Sequence, residues 1–141
     1  MQYDYYVASR YRNKDIILPL IKSIREKGKS VYSFIESEAS LKNVGGLDEH
    51  HEDIMKKFES IPDWQNDPKV KEVFESDMNA IRDSETVILL LPAGKSAHIE
   101  AGAAYGIGKK MILIGEQKET ESLYLIFDKF YNSADDFLKT L

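Results

Sequence analysis

Hydrophobic and polar positions alternate at the start of the chain. In "YDYYVAS", residues 3 to 9, Tyr3, Tyr5 and Val7 fall on one face and Tyr6 and Ala8 on the other, which is the period of a strand. The period then lengthens. In "KDIILPLIKSIREKG" Ile17, Leu20, Ile21 and Ile24 recur at helical spacing, and Gly28 marks the stop. Pro19 fits if this helix begins near Asp15, because a first-turn proline loses little hydrogen bonding. "SVYSFI", residues 30 to 35, predicts the second strand. From 36 to 68 the pattern breaks: the segment holds Gly45, Gly46, Pro62, Pro68, the run "DEHHED" and the only tryptophan, Trp64. One helix, over about 49 to 60, is expected within it. So long an excursion from regular structure suggests an insertion that works as a mobile lid or a partner-contacting segment over the crevice, with Trp64 on its inner side.

Regularity returns with "VKEVFESDMNAIRD", a helix over about 69 to 83. "TVILLL", residues 86 to 91, is a continuous apolar run, the mark of a central parallel strand. A helix over about 97 to 108 follows, with Ser96 as its N-cap, and then strand four, "KMILIG". A helical turn near 120 to 127 leads to the edge strand "KFYN". "SADDFLKTL" closes the chain as a helix capped by Ser133. Strands alternating with helices predict one α/β domain over residues 1–141. Its fold is flavodoxin-like (Rossmann-like): a parallel five-stranded sheet, order 2-1-3-4-5, with helices on both faces. The ligand crevice of such a sheet lies at the carboxyl ends of strands one and three. There the chain reads "ASRYRNK" and "PAGKSAHIE".

Composition narrows the class. At 141 residues, 43% of them hydrophobic, one core of useful size can form. No apolar run approaches the roughly 20 residues needed to span a bilayer. The opening residues lack the apolar core of a signal peptide. A cytoplasmic protein with no membrane partner is therefore expected. The absence of cysteine excludes disulfides, thiolate chemistry and cysteine-based zinc sites. A net charge of −5 argues against a nucleic-acid polymer as partner. Arg10, Arg12 and Lys14 still offer a local cluster for a small anion.

Two carboxylates stand out. Glu100 falls in the expected first turn of a helix of small residues, on the face of Ala97, Ala103, Ala104 and Ile107. The positive end of the helix would favour its ionised form. It is either a nucleophile or cation stabiliser in the crevice, or a first-turn glutamate that steadies its helix from outside. Asp77 lies on the apolar stripe of Val70, Val73, Phe74 and Ile81. A carboxylate there needs a salt bridge, a backbone group or a catalytic task. Glycosidic cleavage uses such a pair, one acting on carbon and one on the proton. Ser9 and the arginines after it could hold a phosphate, or form a solvated loop. His50 and His51 are adjacent, do not share a helix face and read as part of a solvated charge run. His98 could line the pocket or lie exposed. "AGKS" lacks the first glycine of a Walker loop, since Leu90 stands there.

These residues carry a resemblance. "DMNAIRDSETVILLLPAGKSAHIEAGAAYGIGKKMILI" resembles the core of the nucleoside 2-deoxyribosyltransferase family, including its nucleotide N-glycosidase branch. The matching positions are Asp77, Glu100, Gly102, Ala104, Gly108 and Lys109, with Tyr5 as the strand-one tyrosine and Ser9 in the turn after it. The loop "PAGKSAH" and residues 36 to 68 depart from the family pattern. The resemblance implies cleavage or transfer at the N-glycosidic bond of a nucleoside or nucleotide. It implies Glu100 as nucleophile, Asp77 at the departing base and Tyr5 positioning Glu100. Ser9, Arg10 and Ser96 would hold sugar hydroxyls or a 5′-phosphate, with His98 also lining the substrate site. It implies a homodimer, and no metal or other cofactor. The opening residues are also similar to Toll/interleukin-receptor-like domains. That second resemblance implies the alternative of an NAD-cleaving or nucleotide-sensing signalling or defence module.

Overall fold

The computed structural model describes residues 1–141. Its elements are β1 (Tyr3–Ala8), α1 (Lys14–Glu26), β2 (Val31–Ser33), α2 (Glu38–Asn43), α3 (His51–Glu59), α4 (Pro68–Arg82), β3 (Ser84–Leu90), α5 (Lys95–Gly106), β4 (Lys110–Ile114), β5 (Lys129–Tyr131) and α6 (Ala134–Leu138). All strand pairs are parallel, in the order β2-β1-β3-β4-β5. The flavodoxin-like expectation holds, and the apolar run is central: Val87, Ile88 and Leu89 are wholly buried.

Alternation divides the core between the two faces of the sheet. Tyr6, Ala8, Val87 and Leu89 pack beneath α4 and α5. Val7, Ile88 and Leu90 pack beneath α1 and α6 with Ile17, Ile21 and Phe137. The contact surface of α5 is small: Ala97, Ala101 and Ala104 are buried on the sheet. Small side chains let this helix come close, which brings whatever it carries near the strands. Ile107, expected on that face, is instead exposed.

Local signals explain most boundaries. Asp67 caps α4 by accepting the Lys69 N–H at 2.8 Å, with Pro68 in the first turn. Ser133 caps α6 as expected, accepting the Asp136 N–H. Helix α1 starts at Lys14, so Pro19 lies beyond its first turn. The carbonyl of Asp15 therefore lacks its helical donor, and Pro19 is exposed, where water can replace that donor. The 36–68 segment holds more structure than the one helix expected there. Besides α3 it contains α2, capped by Ser37, and a short turn at Trp64–Asn66. Trp64 does not face inward; it is 58% exposed.

One buried network joins the crevice loops. The Ser9 hydroxyl donates to the Leu90 carbonyl at 2.9 Å and accepts from the Asn13 amide at 3.0 Å. That amide also donates to the Pro92 carbonyl, and Arg10 Nε donates to Asn13 Oδ1 at 2.9 Å. Asn13 thus ties the end of β1 to the end of β3. Asn13→Ala leaves the Ser9 and Pro92 oxygens without this donor, so we expect a loss of about 1–3 kcal/mol of stability. Urea unfolding measures it, and an unchanged midpoint would show that the brace is not needed.

Candidate active site

The carboxylates meet over β1 and β2. Tyr6 and Tyr32 are register partners on these neighbouring strands, so their rings leave the sheet on the same face. The rings stack with centroids 5.2 Å apart and an interplanar angle of 15°. The Tyr6 hydroxyl donates to Glu100 Oε2 at 2.8 Å. The Tyr32 hydroxyl lies 3.4 Å from Asp77 Oδ1 and 3.2 Å from Ser76 Oγ. Residues from α4, α5, β1 and β2 converge here, far apart in the chain and adjacent in space.

The environment sets their charge. Burial first, and the nearby charge of Asp77 second, raise the Glu100 carboxyl to about 8, against the opposing pull of the Tyr6 hydrogen bond. Burial raises Asp77 to about 6, and its bond from Tyr32 works the other way. Burial, followed by the charge of Glu100, holds the Tyr6 hydroxyl well above its ordinary value. The ionised Glu100 expected from a first-turn position is corrected on both counts. Gly94, not Ser96, occupies the N-cap, the helix begins at Lys95, and Glu100 falls beyond the first turn. The helix end contributes little at that depth, so desolvation prevails.

The other candidates separate. Tyr5 does not reach Glu100: it points to the opposite face, edge-on to Phe137 at 5.6 Å. Tyr6, one residue later, takes the place assigned to it. Ser9 is buried, and its one proton is committed to Leu90, so it braces the loops and cannot also donate to a sugar or phosphate. Arg10 is exposed beside Gly94 at the start of α5, with its terminal nitrogens outside the Asn13 bond. Ser96 is exposed in the first turn of the same helix. His98 is turned to the β5 side, with Nδ1 2.8 Å from the Gly94 carbonyl and Nε2 2.7 Å from the Tyr124 hydroxyl. A carbonyl only accepts, so Nδ1 carries the proton and, in the neutral ring, Tyr124 donates to Nε2. Two positions apart on a helix, His98 and Glu100 do not face each other.

Tyr32, Ser76 and Asn13 were not among the sequence candidates. Tyr32 had a readable signal, a tyrosine at the middle of strand two. Ser76 and Asn13 had none beyond polarity. A groove of about 590 Å³, lined among others by Tyr5, Thr86 and Ile112, opens toward the strands' amino ends and does not include Glu100 or Asp77.

The chain matches no family profile and no curated protein. Among the solved structures that match this chain, two do so over nearly their whole length. The CMP N-glycosidase of Clostridium botulinum has a TM-score of 0.53 and 21% identity, covering 96% of this chain and 96% of that one. The 2-deoxyribosyltransferase of Bacillus psychrosaccharolyticus has a TM-score of 0.63 and 16% identity, covering 95% and 89%. Both represent the family and branch that the sequence resembles, and at these identities the likeness establishes a common fold. Neither is a Toll/interleukin-receptor domain, so that second resemblance gains no support from them. No helix is long and apolar enough to cross a membrane.

Proposed function

We propose that this chain cleaves or transfers the N-glycosidic bond of a nucleoside or nucleotide, with Glu100 as nucleophile. One observation carries the reading: two largely buried carboxyls, Glu100 and Asp77, each met by the hydroxyl of a stacked tyrosine. The activities named for the two structural neighbours agree with it. Ionised Glu100 attacks the anomeric carbon and forms an ester to the sugar as the carbon–nitrogen bond breaks. The bonding electrons leave with the base, and Asp77 supplies its proton. Water, or a second base, then attacks the same carbon, gives its proton to the ionised Asp77 and releases the Glu100 carboxylate. Tyr6 keeps the attacking oxygen in place throughout. Arg10, Ser96 and the free N–H groups at the start of α5 suit a 5′-phosphate or sugar hydroxyls.

The charge states predict a pH profile. Glu100 must be ionised and Asp77 protonated, a state available only while the pair holds one proton. With carboxyls at about 6 and about 8, base release should follow a bell between those limits. Below the lower limit both carboxyls are protonated; above the upper one no proton remains for the base. Between them the reactive form is the minor one-proton form, because Glu100 holds the proton more tightly than Asp77. The assay is chromatography of free base from a panel of nucleosides, nucleotides and NAD across pH. Ligand binding with no base released from any of them would overturn the reading and leave a nucleotide-binding module. Activity still rising above about pH 9, past both carboxyls, would assign the work to the doubly ionised pair.

Residues 36–68 complete the proposal as a lid. Exposed ion pairs from Arg12 to Glu52 and Glu59, at 3.1 and 3.7 Å, and the bond from Tyr11 to the Gly46 carbonyl hold it to the end of β1. Helix α3 buries no residue fully, and exposed ion pairs hold weakly. Limited proteolysis should cut this segment first, and a nucleoside should slow the cut; cleavage elsewhere first would exclude a lid. A second copy is expected on the apolar outer side of α4 and α5, where Phe74 and Ile99 are exposed. Sedimentation of a fully active monomer would exclude it.

A further inference from the structure

We infer that Tyr32 is a positioning residue for Asp77, and that the stacked Tyr6–Tyr32 pair sets the spacing between the two carboxyls. The kinetic part of this inference rests on the proposed function; the geometric part does not. Asp77 and Glu100 come from different helices, and no hydrogen bond joins α4 to α5 at this point. What they share is the tyrosine pair. Adjacent strands lie about 4.8 Å apart, and the stacked rings keep nearly that separation, at 5.2 Å. Each ring then ends in a hydroxyl directed to one carboxyl.

Tyr32 has little freedom to turn elsewhere. Tyr6 stacks on it, and Tyr3 also packs against it, edge-on with centroids 5.5 Å apart. The proton count agrees with the geometry. A hydroxyl donates once, so if Ser76 donates to Tyr32, the Tyr32 proton is free for Asp77. The groups around Asp77 are Tyr32 from β2, which bonds it, and Glu100 from α5 and Tyr6 from β1, which both feel its charge; Ser76 bonds Tyr32. Of these, only Tyr32 offers Asp77 a hydrogen bond from another element. That bond favours the ionised form of Asp77 and so opposes burial. Removing it lets Asp77 keep its proton to higher pH.

Tyr32→Phe removes the hydroxyl and keeps the ring stack. The test is a carbon-13 NMR titration of the Asp77 carboxyl in the unliganded protein, assigned by comparison with Asp77→Asn. The midpoint should rise by about half a pH unit or more. In the kinetic part, kcat should fall about tenfold with KM little changed, and the lower limb of the pH profile should move upward. Ser76→Ala leaves the tyrosine donor in place and should keep the midpoint near wild type, which separates a lost donor from general disturbance. An unchanged Asp77 midpoint in folded Tyr32→Phe would overturn the inference and leave Tyr32 as core filling. If the wild type releases no base from any substrate, the proposed function fails, and the titration still decides the role of Tyr32.

Discussion

Glu100→Gln should lower the rate of base release by on the order of 10³-fold or more, while ligand affinity stays close to wild type. The substitution keeps the shape of the side chain and an oxygen that can still accept from Tyr6. Under the proposed function it removes the carboxylate that forms the bond to the anomeric carbon. The lost interaction exists only as that bond forms, so the penalty appears in kcat and spares the bound ground state. Asp77→Asn should be milder, and its penalty should shrink for bases that leave without needing a proton. Parallel assays of wild type and both variants on one turned-over substrate, with affinity measured by calorimetry, make the comparison. Near-wild-type turnover by Glu100→Gln would reduce Glu100 to a structural residue of its helix.

The same substitution should stabilise the fold at alkaline pH and leave it unchanged in acid. Glu100 holds its proton to about 8 in the native chain, against an ordinary value of 4.5. Below about pH 4 the carboxyl is protonated whether the chain is folded or not, and glutamine gains nothing. Between those values the unfolded chain ionises first, the native state binds more protons, and wild-type stability falls as pH rises. Glutamine never ionises and escapes that loss. Each tenfold difference in proton affinity between the folded and unfolded chain is worth about 1.4 kcal/mol, so a gain of about 2 kcal/mol or more is expected at about pH 8.5. For a domain of this size that corresponds to roughly 6 °C in Tm. Thermal unfolding at these two pH values decides the matter. A variant less stable than wild type at the alkaline one would mean that the charge of Glu100 is paired in the fold, not confined by it.

Much of the architecture was readable because it rests on local periodicity. "TVILLL" could hardly be anything but a central strand, and the cap signals of Asp67 and Ser133 lie beside the helices they start. The two carboxyls were readable for a different reason: each interrupts an apolar context that otherwise excludes charge. What the sequence concealed depends on three dimensions. The resemblance placed the strand-one tyrosine at Tyr5, and in a strand an offset of one residue is a change of face. Alternation sorted the tyrosines into two sets, and only the packing of α5 tells which set meets Glu100. Ser9 looked like a ligand for anions because its partner, the Leu90 carbonyl, lies 81 residues away. The charge of Glu100 was misjudged because helix position can be read along a chain, whereas desolvation by neighbouring elements cannot.

Trp64 gives the segment between α3 and α4 an optical label of its own. No other tryptophan exists in the chain, and this one stands largely in solvent within the short turn Trp64–Asn66. Its emission should therefore lie to the red and respond to dissolved quenchers. Closure of the segment over a bound nucleoside would draw the indole out of water and shift the emission to the blue, with quenching reduced. The proposed lid motion thus becomes a fluorescence measurement on the unlabelled wild-type protein, timed by rapid mixing and independent of whether any bond is broken.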